Sequence, residues 1–142
     1  MSAAARKIEA GTQLPEREVG PFTRLDFVRF SVATDDPNRV HIEEAVAAEA
    51  GLPGVIGSGG IVGGLLTDIV SSWAGLESLR SASLRVLAPL FPGAVLRAGG
   101  EVVGLADDGS GLVEVLAQVH DALGTRVGEG TFRVQLESED RQ

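Results

Sequence analysis

The spacing of apolar residues changes character near residue 75 and divides the chain into two parts. Before that point the helical period dominates. Thr23 has the position of an N-cap, with Asp26 three residues on in a capping-box spacing. Leu25, Val28 and Val32 form one stripe with Phe27 and Phe30 beside it, which predicts a helix ending near Ala33. A polar cluster, Thr34-Asp35-Asp36-Pro37-Asn38, then predicts a turn, because a residue before proline is biased away from helical geometry. A short helix is expected over 43–50, with Gly51 as C-cap and Pro53 as stop. The longest helix is expected over 59–73. Ser58 is its N-cap, and Ile61, Val62, Leu65, Leu66, Ile69, Val70 and Trp73 form a wide apolar surface. Gly63 and Gly64 are poor helix formers, so close approach by another backbone is expected there. After Gly75 the period falls to two. Alternation over 83–87, 95–105, 112–122 and 126–136 predicts four antiparallel strands, with Asp107-Asp108-Gly109-Ser110-Gly111 as a hairpin turn. Residues 7–19 read as a short strand or an extended lead-in. Residues 1–6 and the charged tail from Glu137 are expected to lie outside an ordered core of 7–137. The simplest packing of one long apolar helix with such strands is α+β, the helix lying against one face of the sheet. The edges of that sheet need covering, which favours a dimer.

Composition narrows this picture modestly. With 142 residues, 44% of them hydrophobic and 23% charged, the chain suits a single globular domain spanning 1–142. No apolar run is long enough to cross a bilayer, so no membrane partner is expected. The first residues lack the apolar core of a secretory leader, and a cytoplasmic location is expected. The absence of cysteine excludes disulfides and thiolate chemistry. The net charge of -8 argues against a nucleic-acid partner, since phosphate binding needs a basic surface.

Candidate chemistry concentrates in two segments. The chain has only two histidines. His41 follows Asp36 by five residues in the turn-rich segment, a separation at which both can face one pocket. An ionised Asp36 could accept a proton that His41 positions or shares near neutral pH. Asn38 and Asp36 can equally be turn formers, with His41 capping a helix. Ser58-Gly59-Gly60 opens the long helix, where unpaired amides and the positive dipole end can receive a developing oxyanion; a capping loop is the alternative. His120 lies on the strand face opposite Val119 and is read as structural or surface. No metal-ligand spacing is evident. Asp68 is an unusual carboxylate inside the long helix, read as an interface or solvent group.

Taken together, residues 30–66 (FSVATDDPNRVHIEEAVAAEAGLPGVIGSGGIVGGLL) resemble the signature of the MaoC-like dehydratases, the (R)-specific enoyl-CoA hydratase family, in its small single-domain subunit form. Asp36, Asn38 and His41 match the Asp, the Asn two later and the His five later. The resemblance implies a hot-dog fold, an antiparallel sheet wrapped around a long central helix. It implies hydration of a trans-2-enoyl thioester, or the reverse dehydration, without cofactor or metal. Asp36 and His41 would be catalytic, Gly59 the oxyanion hole, and Asn38 and Ser58 supporting residues. The substrate would be an acyl-CoA or acyl carrier protein thioester, its acyl chain running along the apolar helix and its pantetheine crossing the interface of a homodimer or of a heterodimer with a related subunit. Arg80, Arg85, Arg97, Arg126 and Arg133 are candidates for CoA or carrier phosphates, with solvated faces the expected reading for most of them. A non-catalytic partner subunit is one alternative. A hot-dog thioesterase using Asp68 is another. Three neighbours depart from the family pattern: Asp35 replaces Gly, Arg39 replaces Pro, and Ser58 replaces His. Asp35 is expected to raise the pKa of Asp36, with Arg39 offsetting it.

Overall fold

The computed structural model describes residues 8–136. The expectations for residues 1–6 and for the tail from Glu137 lie outside that range. Five strands form one antiparallel sheet: β1 (Arg17–Val19), β2 (Leu79–Val86), β3 (Leu96–Leu105), β4 (Val113–Asp121) and β5 (Arg126–Val134), in the order β1-β3-β4-β5-β2. Three α-helices precede β2: α1 (Arg24–Ala33), α2 (Glu44–Glu49) and α3 (Gly59–Ala74). The sheet wraps around α3, the arrangement implied by the resemblance.

Helix α1 starts as its capping box predicts. Thr23 Oγ1 accepts from the Asp26 amide at 3.1 Å, and Asp26 Oδ2 accepts from the Thr23 amide at 2.7 Å. Those bonds hold the Asp26 carboxyl below its usual range. The expected stripe is corrected, however. Leu25 and Val32 are 54% and 76% exposed, while Phe27 and Ser31 are buried. The phenyl rings have more apolar area to bury than Leu or Val, so α1 turns its Phe27 and Phe30 side inward.

Helix α3 runs one residue beyond its predicted end. Ser58 Oγ accepts from the Gly60 amide at 3.3 Å, and Gly75, at φ 89°, closes it. Ile61, Val62, Leu65, Leu66, Ile69 and Val70 are all buried. Each such side chain contributes about 1.5–3 kcal/mol by leaving water. The close approach of helix and sheet is not where Gly63 and Gly64 suggest. A Cβ on Gly63 would meet only Leu84 at an ordinary 3.4 Å, and one on Gly64 would meet nothing within 4 Å. The glycine that admits the helix is in β5: a Cβ on Gly128 would stand 2.3 Å from Val62 Cγ1.

Strand β4 behaves as its alternation predicts, with Val113, Val115, Ala117 and Val119 buried on one face. Strand β2 begins four residues earlier than its alternation suggests, after a 3₁₀ turn over Leu76–Ser78. It is an edge strand, and Leu84, Val86 and Leu87 are exposed along it. The other edge, β1, has only three residues, extended by a bridge between Gln13 and Glu101. No helix among the described residues is long and apolar enough to cross a membrane.

Candidate active site

The turn after α1 is built by its own polar residues. Asp36 donates its amide to the Ser31 carbonyl at 2.9 Å, which ties the turn to α1. Its Oδ1 accepts from the Asn38 amide at 3.3 Å, and Asn38 Oδ1 accepts from the Val40 amide at 3.2 Å. Asn38 thereby caps a 3₁₀ turn, Arg39–His41, which the sequence pattern did not predict. That turn swings His41 inward.

His41 is 7% exposed, and its ring is fixed at both nitrogens. Nδ1 lies 2.7 Å from the Ile56 carbonyl, and Nε2 lies 3.3 Å from Asp36 Oδ2. A carbonyl can only accept, so Nδ1 carries a hydrogen, and Nε2 is the atom that gains or loses a proton. In the neutral ring Nε2 and Asp36 Oδ2 are two acceptors facing one region. A water donating one hydrogen to each satisfies both and leaves its own lone pair free.

Ser58 connects this pair to α3. Its hydroxyl accepts from the Gly60 amide and is the leading cause that holds the Asp36 carboxyl below its usual range. The Ile61 amide is occupied by the Ser58 carbonyl at 3.0 Å. The Gly59 amide, first in α3, has no acceptor among the described residues. It is the unpaired donor expected at a helix start, with the positive end of the dipole behind it.

His41, Ser58 and Gly59 line one cleft of about 340 Å³, together with Ile56, Gly57, Val62 and the segment from Val86 to Leu90. The contribution of the 86–90 connection and the anchoring carbonyl of Ile56 were not evident from the sequence. Neither has a motif, and both reach the site only through the sheet and the loop packing. The loop itself is seated by α1: a Cβ on Gly57 would be 2.8 Å from Phe27 Cε1, and one on Gly60 would be 3.1 Å from Phe30.

The electrostatics correct one expectation. Asp36 is pushed below the usual carboxylate range, first by the Ser58 hydroxyl, then by the Asn38 amide and by His41. Asp35 does not raise it. Arg39 offsets nothing either, because its guanidinium is engaged by Glu43 in two bonds of 2.5 and 2.6 Å. What Asp35 does carry is a φ of 51°, the one positive φ outside glycine among the described residues. An L-residue is disfavoured there, although Asp tolerates it better than most. Asp35→Gly is expected to stabilise the protein by about 0.5–1 kcal/mol, read as a higher thermal midpoint. A lower midpoint would show that the Asp35 side chain stabilises the turn.

The other candidates are not drawn to this cleft. Asp68 is bonded to Arg17 of β1 and accepts from Ser72 Oγ. It lies nine residues beyond Gly59 in α3, about 14 Å along the axis. His120 is half-buried on β4, opposite Arg97 and Arg126 in register. Arg85 and Arg126 pair with Glu129, Arg97 with Glu18, and Arg133 with Asp108 and Glu114. Arg80 bonds two backbone carbonyls and no carboxylate among the described residues. No cluster of three His, Asp or Glu able to hold a metal occurs among them.

Comparison with known proteins agrees with this layout. No curated protein sequence is similar enough to match. Among solved structures, the chain is similar to one from the ChsH1-ChsH2 complex of Mycobacterium tuberculosis, at 25% identity and a TM-score of 0.77, covering 90% of this chain and 98% of that one. A MaoC-like dehydratase is 25% identical with a TM-score of 0.81, covering 94% of this chain and 42% of that one. The (R)-hydratase from A. caviae involved in PHA biosynthesis shares the fold at 21% identity, with a TM-score of 0.78 and coverage of 94% and 100%. Residues 6–122 match the family model described as a MaoC like domain. With its sheet wrapped around α3 and most of its length inside that match, the chain belongs to the MaoC-like dehydratase family.

Proposed function

We propose that the protein hydrates a trans-2-enoyl thioester to a 3-hydroxyacyl thioester, or catalyses the reverse dehydration. The observation that carries this reading is Asp36 Oδ2 at 3.3 Å from His41 Nε2, with His41, Ser58 and the free Gly59 amide lining one cleft. A water held by Asp36 Oδ2 and His41 Nε2 presents its oxygen to C3. As the C3–O bond forms, the pair takes up one water proton. The C2–C3 π electrons move into an enolate, whose oxygen is received by the Gly59 amide. Such a donor is worth most when charge builds in a water-poor site. The proton then passes to C2, so the sum is addition of H and OH across the double bond. Asn38 and Ser58 keep Asp36 ionised and aimed. The thioester is carried by CoA or by an acyl carrier protein.

The exposed edge of β2, with Leu84 exposed along it and Val86 and Leu87 lining the cleft, supports assembly with a second hot-dog chain, identical or related. Light scattering on the pure protein reads this directly. A lone, inactive chain that gains hydratase activity on addition of a related subunit would support the partner-subunit reading instead. The test of the main reading is loss of the conjugated enoyl absorbance of a trans-2-enoyl-CoA on addition of pure protein. Asp68→Asn is expected to leave that rate within about twofold, since Asp68 is held by Arg17 and lies along α3 away from the cleft. Release of free thiol from a saturated acyl-CoA, abolished by Asp68→Asn, would establish the thioesterase alternative.

A further inference from the structure

We propose that the outer face of the sheet carries a second binding site, separate from the cleft, for a small zwitterion of the α-amino acid type. The site is a pit of about 280 Å³ whose lining includes Glu16, Arg97, Gly99, Gln118 and His120. Two neighbouring rows of the sheet frame it. In one, Glu18, Arg97 and His120 stand opposite one another on β1, β3 and β4. In the other, Gly99 stands opposite Gln118. Opposed residues share a face of a sheet, and so do residues two apart on one strand. Ala98 and Val119, between the rows, are fully buried on the inner side, so both rows face outward. Glycine at 99 leaves the second row without a side chain in its middle. Glu16, just ahead of β1, borders that opening: a Cβ on Gly99 would stand 3.4 Å from Glu16 Cγ and would meet no backbone. The segment that carries Glu16 is held against β3 on both sides, by the Leu14 amide donating to the Gly100 carbonyl at 2.8 Å and by the pairing of Arg17 with Ala98.

The polar groups around this opening are not consumed by one another. Gln118 and His120 are half-buried, and neither they nor Glu16 make a side-chain hydrogen bond or ion pair among the described residues. Arg97 donates from Nη2 to Glu18 at 3.2 Å, and its other N–H groups have no acceptor among those residues. The two ends of the pit differ in character. Glu16 offers a lone carboxylate at the Gly99 end, with the Gln118 carboxamide beside it. Arg97 and His120 offer N–H donors at the other end, two residues away, or about 6.6 Å along a strand. An α-amino acid holds an ammonium and a carboxylate on one carbon, and it bridges that gap with a charge-assisted bond of about 2.8 Å at each end. A simple anion would face Glu16 and Glu101 as like charges, and a simple cation would face Arg97. A molecule with both charges satisfies each end, and its ammonium has a further hydrogen for Gln118 Oε1. The site does not depend on the chemistry of the cleft, which lies on the other side of the sheet.

The experiment titrates the full-length, nitrogen-15-labelled protein with each of the standard L-amino acids singly and follows the backbone amide signals. Acetate and methylammonium serve as controls that carry one charge each. At least one amino acid is expected to move the Gly99, Gln118 and His120 signals saturably. It should bind about tenfold or more tightly than either control, since it makes two charge-assisted contacts where each control makes one. Glu16→Gln removes the counter-charge of the ammonium and is expected to weaken that binding by about tenfold. Gly99→Val fills the opening without altering a charge and is expected to abolish binding. The fold should tolerate it, because valine suits a strand and Gly99 has no positive φ. Thermal midpoints of both variants check this. The proposal is overturned by no saturable shift with any amino acid, by equal affinity for acetate or methylammonium, or by full binding in either folded variant.

Discussion

Asp36→Asn is expected to lower the rate of enoyl-thioester hydration by about 10²- to 10⁴-fold with little change in KM, the range of a positioned general acid-base. The amide keeps the shape and can still accept from the Asn38 amide. It cannot take a proton from water, and its NH₂ can instead donate to His41 Nε2, 3.3 Å away, occupying the atom that would hold the water. In the proposed mechanism Asp36 and His41 act on the same water, so adding His41→Ala to Asp36→Asn should cost little more than either alone. Stopped assays with circular dichroism on each variant separate loss of chemistry from loss of fold. Unchanged turnover in Asp36→Asn would remove Asp36 from the mechanism.

The pH dependence carries a defined sign. Ser58, Asn38 and His41 lower the Asp36 pKa in the folded chain, so the carboxylate stays ionised through the usual carboxylate range near pH 4. Loss of activity through protonation of Asp36 should therefore fall below that range. For stability, a lowered folded pKa means that Asp36 favours the folded chain above its unfolded pKa. That contribution disappears as the pH drops through the lowered value. Asp36→Asn should lack this acid-sensitive part, read by comparing thermal midpoints of the two proteins between neutral and acid pH.

Phe27→Ala is expected to destabilise the protein by about 3–5 kcal/mol, the range for a fully buried phenyl ring. Phe27 is 0% exposed, stacks against Phe22 at 6.4 Å, and presses on Gly57 immediately before Ser58. The cavity would lie under the loop that carries Ser58 and Gly59. Activity measured below the transition should fall as well, since a site displaced by a fraction of an ångström loses alignment. Gly57→Ala alone should destabilise too, because its methyl meets Phe27 and Leu90, neither of which can retreat. In the Phe27→Ala background that penalty should shrink, since the methyl enters the vacated space. Thermal melts of the four proteins give the coupling. Additive losses would show that Phe27 does not seat the loop.

Much of this architecture was legible in one dimension, and the reason is local. The Thr23 and Asp26 capping box, the Ser58 cap and the alternation of Val113, Val115, Ala117 and Val119 are decided by residues a few positions apart. Their energetics follow from helix ends and pleat geometry alone. The same holds for the turn at Asp36 and Asn38, whose side chains bond amides two residues away. The resemblance added the pairing of that turn with Ser58 and Gly59, and the fold is the one it implied.

What tertiary structure alone decided involves contacts between distant segments. The inward face of α1 was set by the fit of Phe27 and Phe30 against Gly57 and Gly60, not by the Leu25-Val28-Val32 stripe. The close approach of helix and sheet fell to Gly128 of β5, whose missing side chain leaves the space into which Val62 packs. Adjacency of Asp35 and Asp36 in sequence suggested mutual repulsion. The fold instead brings the Ser58 hydroxyl onto Asp36 and sends Arg39 to Glu43, so the acid is lowered rather than raised. The tautomer of His41 depends on the Ile56 carbonyl, fifteen residues away, which no side-chain pattern announces. Local chemistry thus placed the acid, the imidazole and the helix start along the chain. Packing around α3 then determined which atoms face one another.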